Sequence, residues 1–118
     1  MITILPESDG ALMCIKLSGK LTDAEYKNLI PQVESIIEEF GKIKFYINML
    51  DFDGWEWRVA WDDFAFGIKH WNSFEKLAIV GDTRWVELAA LVGAKITNAD
   101  VKFFGRGQEK KALNWARD

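Results

Sequence analysis

Asp51-Phe-Asp53-Gly follows a short apolar run, and two carboxylates at that spacing on the end of a strand can hold Mg²⁺ and supply a nucleophile. Phosphoryl chemistry on such a pair also needs a hydroxyl just after it, a later lysine and further acidic ligands. Trp55 stands where the hydroxyl would be. A second arrangement has Asp51, Thr83 and Lys102 in the order of a phosphoacceptor site, but the acidic pair that would hold its metal is missing. Only Glu7 and Asp9, in a turn, come near. Gly105-Arg-Gly107 imitates the start of a dinucleotide fingerprint without its third glycine, and is expected to be a tight connection. His70 lies near Asp62 and Asp63, but no nucleophile accompanies them; a surface histidine beside carboxylates is the expectation. Cys14, within an apolar strand, is expected to be an inert core thiol. No confident catalytic site, metal site or cofactor site emerges, so a non-enzymatic protein is expected.

The elements that must position these residues can be read from periodicity. Ile2–Leu5 and Leu12–Leu17 flank a Glu-Ser-Asp-Gly turn and form a hairpin. Thr22-Asp-Ala-Glu25 is a capping box, and Tyr26, Leu29, Ile30, Val33, Ile36, Ile37 and Phe40 recur at helical spacing up to Gly41. Pro31 lies inside that pattern and predicts a kink or a restart. Ile43–Leu50 is a strand. Trp57 to Trp71 is a second helix, Leu77–Val80 a strand, and Asp82 or Thr83 starts a third helix bearing Trp85, Leu88, Ala89 and Val92. Val101–Phe104 is the last strand and Gln108–Ala116 the last helix. Strand–helix alternation after a hairpin predicts a largely parallel sheet, hence one α/β domain over residues 1–118.

The chain has 118 residues, of which 49% are hydrophobic and 28% charged, the usage of an ordinary globular domain. Fifteen basic against eighteen acidic residues give a net charge of −3, which argues against a nucleic-acid partner. No basic segment precedes an apolar run at the N-terminus, and the single cysteine cannot form an internal disulfide. A cytoplasmic location is therefore expected, with peripheral contact at a membrane as an extension of it.

Six tryptophans are the unusual count. Trp57, Ala60, Trp61, Phe64, Gly67, Ile68 and Trp71 fall on one arc of the second helix. That arc can simply cover the sheet. Three indoles on one face are nevertheless bulky for a small sheet, and each carries an N–H that needs a partner when buried. A helix able to part from the sheet would expose an apolar slot lined by Trp55, Trp57, Trp61, Phe64 and Trp71, with Trp85 beside it, suited to a lipid-like ligand or a membrane face. Val59 and Phe66, seven residues apart on the otherwise polar side, point to contact with a second copy in a homodimer, a membrane surface or an apolar ligand.

Asp-Phe-Asp-Gly-Trp at 51–55, Ala60-Trp61, Gly67-Ile68-Lys69-His70, Ala78-Ile-Val-Gly-Asp82 with Trp85, and Ala112 before Trp115 together resemble the SpoIIAA-like family. These small bacterial proteins are similar to STAS domains, the fold of anti-sigma-factor antagonists, and the resemblance covers nearly the whole chain. It implies a mixed, mainly parallel sheet of four or five strands with about four helices, and no catalysis. It also implies a mobile helical lid, apolar ligand binding and membrane association, in a layout similar to that of CRAL-TRIO lipid carriers. The better-studied STAS regulators carry a phosphorylatable serine where the second helix begins. Asp53-Gly-Trp-Glu-Trp57 stands there instead, and the only serines are Ser8, Ser18, Ser35 and Ser73. A protein-interaction regulator without that switch is the alternative reading.

Overall fold

The computed structural model describes residues 1–55, 73–82 and 100–118. Five strands lie side by side in chain order: β1 (Ile2–Ile4), β2 (Leu12–Leu21), β3 (Ile43–Trp55), β4 (Phe74–Val80) and β5 (Asp100–Phe104). β1 is antiparallel to β2, and every later neighbour is parallel. Two helices are described, α1 (Asp23–Phe40) and α2 (Glu109–Arg117), rather than about four. The expected second and third helices lie outside the described residues. The mixed α/β sheet is as the alternation predicts.

Side-chain alternation divides the sheet into two unlike faces. Met13, Ile15, Leu17, Phe45, Met49, Leu77 and Ile79 form one buried cluster, against which Leu29, Val33, Ile36 and Ile37 of α1 pack. The opposite face alternates Leu12, Cys14, Tyr46, Ala78, Val80 and Phe104, which pack with Ala112 and Ala116 of α2, with a lysine on each parallel strand: Lys16, Lys44, Lys76 and Lys102. Two of these lysines close the C-terminal end of α2. Lys76 Nζ donates to the Trp115 carbonyl at 3.0 Å and Lys44 Nζ to that of Arg117 at 3.3 Å, placing cations on carbonyls that the helix cannot satisfy.

Local chemistry explains the helix ends. Thr22 Oγ1 accepts from the Glu25 N–H at 3.2 Å, the expected N-cap bond. The Glu25 carboxylate departs from a capping box: it accepts from the Thr22 hydroxyl at 3.0 Å and from the Ile2 N–H at 2.8 Å, and pairs with the Met1 ammonium at 3.2 Å. It therefore fastens edge strand β1 to the start of α1. Gly41 ends the helix with its N–H on the Ile37 carbonyl at 2.7 Å. α1 runs through Pro31 without the expected restart, because the ring sits on the exposed side, where the lost ladder bond can be replaced by water.

β3 is longer than its apolar run suggests. Asp51–Trp55 remains in the strand and pairs with Ser18–Leu21 of β2, so the acidic motif is strand and not loop. The pairing is kept by an irregularity in which Phe52 faces Gly19 and Gly54 faces Lys20, leaving Asp53 as the extra residue. Gly54, at φ 116°, and Gly19, at φ 62°, supply backbone angles that other residues adopt only with strain.

Candidate functional site

β4 ends opposite Asn48, whereas β3 continues to Trp55, so residues 49–55 project beyond the β3–β4 pairing with β2 as their partner. This extension ends at the carboxyl ends of the parallel strands, the end where open α/β sheets place ligands, and the tryptophan-rich segment follows it in the sequence. Trp55 is its last residue and pairs with Leu21. Trp57, Val59, Trp61, Phe64, Phe66, Trp71 and Trp85 lie outside the described residues, so of the expected slot the structure fixes the backbone position at Trp55.

Among the described residues the acidic motif does not assemble a metal centre. Asp51 is exposed and its carboxylate lies 3.0 Å from Lys16 Nζ, while Asp53 is exposed at the bulge. Lys102 pairs with Ala78, which pairs with Tyr46, five positions before Asp51, or about 16 Å along β3. Its ammonium lies 5.8 Å from the centroids of both Phe104 and Trp115, so it belongs to the α2 face and not to the Asp51 end. Thr83, His70, Asp62 and Asp63 lie outside the described residues. Among the described residues no three His, Cys, Asp or Glu side chains converge as metal ligands.

The Gly105-Arg-Gly107 turn has already used the amides that a phosphate would need. Gly105 N–H donates to Gln108 Oε1 at 2.8 Å and Gly107 N–H to Glu109 Oε1 at 3.1 Å. Backbone N–H donors, its own and that of Gly107, hold the Glu109 carboxyl below its ordinary range. Cys14 is fully buried. Burial pushes its thiol up to about 11, with Glu7 adding to the shift, and its backbone N–H and C=O are both bonded to the Ser8 hydroxyl. A thiol so rarely ionised is a poor nucleophile.

Sequence reasoning missed a groove of about 480 Å³ where the β1–β2 turn meets the middle of α1. Ile4, Leu12, Met13, Pro31 and Ile36 make its apolar part, and Ser8, Asp9, Gln32 and Ser35 its polar part. The signals for it were the exposed Pro31 on α1 and the Ser-Asp-Gly turn, neither of which marks a cavity by itself. The turn is held by reciprocal bonds between Asp9 and Leu12 at 2.9 Å, and the Ser8 hydroxyl is occupied by Cys14.

Among the described residues no helix is long and apolar enough to cross a membrane. The SpoIIAA-like family model matches residues 12–117. A similar solved structure is the crystal structure of an uncharacterised DUF3478-family protein with a SpoIIAA-like fold from Shewanella loihica PV-4. It is 31% identical, with a TM-score of 0.76, over 98% of this chain and 92% of that one. No curated protein matches the chain.

Proposed function

Because the chain belongs to the SpoIIAA-like family, we propose that it is a non-enzymatic module that takes an apolar, lipid-like ligand in a slot lined by Trp55, Trp57, Trp61, Phe64, Trp71 and Trp85. The observation that carries this reading is the β3 extension. Residues 49–55 run past the end of β4 and hand the chain to a segment with tryptophans at 55, 57, 61 and 71. Indoles combine a large apolar body with one N–H donor, which suits a site that is dry within and wet at its mouth. Supporting it, Asp51 is engaged by Lys16, the Gly105–Gly107 amides are occupied, and Cys14 is a buried, weakly acidic thiol.

Membrane contact through Val59 and Phe66 belongs to the same reading, since a carrier must load from a lipid surface. With a net charge of −3 the contact works by apolar insertion and is weakly dependent on salt. The test is a titration with cis-parinaric acid, read by energy transfer from tryptophan. Saturable transfer that Trp57→Ala/Trp61→Ala removes, in a variant that keeps its far-UV spectrum, is the expected result. Transfer that does not saturate, or that survives the double substitution, overturns the slot and turns attention to a protein-interaction regulator.

A further inference from the structure

Among the described residues, the modest net charge conceals a separation of charge between the two sides of the sheet. α1, on the apolar-clustered side, carries five acids and one lysine in Asp23–Phe40. Its last turn holds Glu38 and Glu39, both exposed, and no basic residue, although the negative end of a helix disfavours carboxylates there. Phe40, immediately after them, is 44% exposed. On the other side, Lys102 is exposed with its ammonium over Trp115, and Lys111, one helical turn before Trp115, is exposed on the same flank of α2. Trp115 itself is only half-buried, and Lys76 Nζ also lies over its ring at 5.1 Å.

Among the described residues the two sides thus present complementary surfaces: two carboxylates beside an aromatic ring, and lysines around one. We propose that the last turn of α1 in one copy docks on the α2 face of a second copy, with Glu38 and Glu39 on Lys102 and Lys111, and Phe40 against Trp115. The two surfaces lie on opposite faces of one sheet, so a chain cannot satisfy itself. The contact is head-to-tail and adds copies in a row. It is independent of the apolar slot, and either reading can fail without the other.

Sedimentation equilibrium tests it at about 20 mM and about 500 mM salt, between which the screening length falls from about 20 Å to about 4 Å. At low salt and about 1 mM protein the weight-average mass should reach about twice the monomer mass, as association of millimolar strength requires. At high salt it should return to the monomer. The charge reversals Glu38→Lys/Glu39→Lys and Lys102→Glu/Lys111→Glu each leave like charges on both sides, so each protein alone should be monomeric. Their equimolar mixture has opposite charges across every contact and should associate again. A monomer at every concentration, association untouched by either reversal, or a mixture that stays monomeric overturns the proposal.

Discussion

Cys14 shows how a residue type with reactive potential is made inert by its surroundings. Its thiol is pushed up from an ordinary value of 9.0 to about 11, chiefly by burial, so at pH 8 the thiolate is scarcer by about 100-fold. Native protein should therefore react with Ellman's reagent at least about 100-fold more slowly than unfolded protein; comparable rates would show that the strand opens readily. Glu25 is the contrasting case. Burial pushes its carboxyl upward, but hydrogen bonds from the amino terminus, the Thr22 hydroxyl and the Ile2 N–H outweigh it and leave the group below its ordinary value. A lowered value means that folding binds the ionised form. The stability it adds is full above the unfolded-state value, about 4.3, and is lost as pH falls through the lower folded-state value. Glu25→Gln should destabilise the protein at neutral pH and flatten the acid limb of a stability-against-pH curve. An unchanged limb would mean that the clasp between β1 and α1 is not maintained in solution.

The strands are the elements that position the candidate site, and β3 is the one whose length matters. Its apolar run, Ile43–Leu50, was legible by alternation, and so were the hairpin, α1 with its Thr22 cap and Gly41 stop, and the last strand and helix. The continuation through Asp51–Trp55 was not, because Asp-Phe-Asp-Gly reads as turn chemistry in isolation. It stays in the sheet through a non-local device: Gly19 on β2 and Gly54 on β3 absorb one extra residue between paired strands. The same limit applies to Pro31, whose effect on α1 depends on whether the ring faces solvent. Of the candidate site, the tryptophan-rich arc was legible as periodicity alone. Periodicity is the same for a lid and for a fixed core helix. Phe52, 1% exposed, is the apolar anchor of the β3 extension. Phe52→Ala should cost about 3–5 kcal/mol of unfolding free energy in urea melts. It should also raise amide exchange across residues 49–55 before the rest of the sheet; uniform exchange would mean that the extension is held by something other than its pairing with β2.

At the scale of the whole molecule, one sheet separates two different surfaces. One face is apolar throughout and takes acidic α1; the other interleaves apolar residues with Lys16, Lys44, Lys76 and Lys102 and takes basic α2. Net charge alone misses that division, just as composition alone misses that several tryptophans follow β3 closely in the sequence. The structure of the Shewanella loihica relative extends the fold over nearly all of both chains, and the tryptophans that follow β3 in the sequence are the basis for the apolar cargo proposed above. Native mass spectrometry of freshly purified protein, set against its denatured mass, tests that assignment most directly. The account predicts an added mass of lipid size that vanishes on denaturation and is absent from Trp57→Ala/Trp61→Ala. A bare polypeptide mass in the native spectrum, unaltered after incubation with long-chain fatty acid, would contradict it.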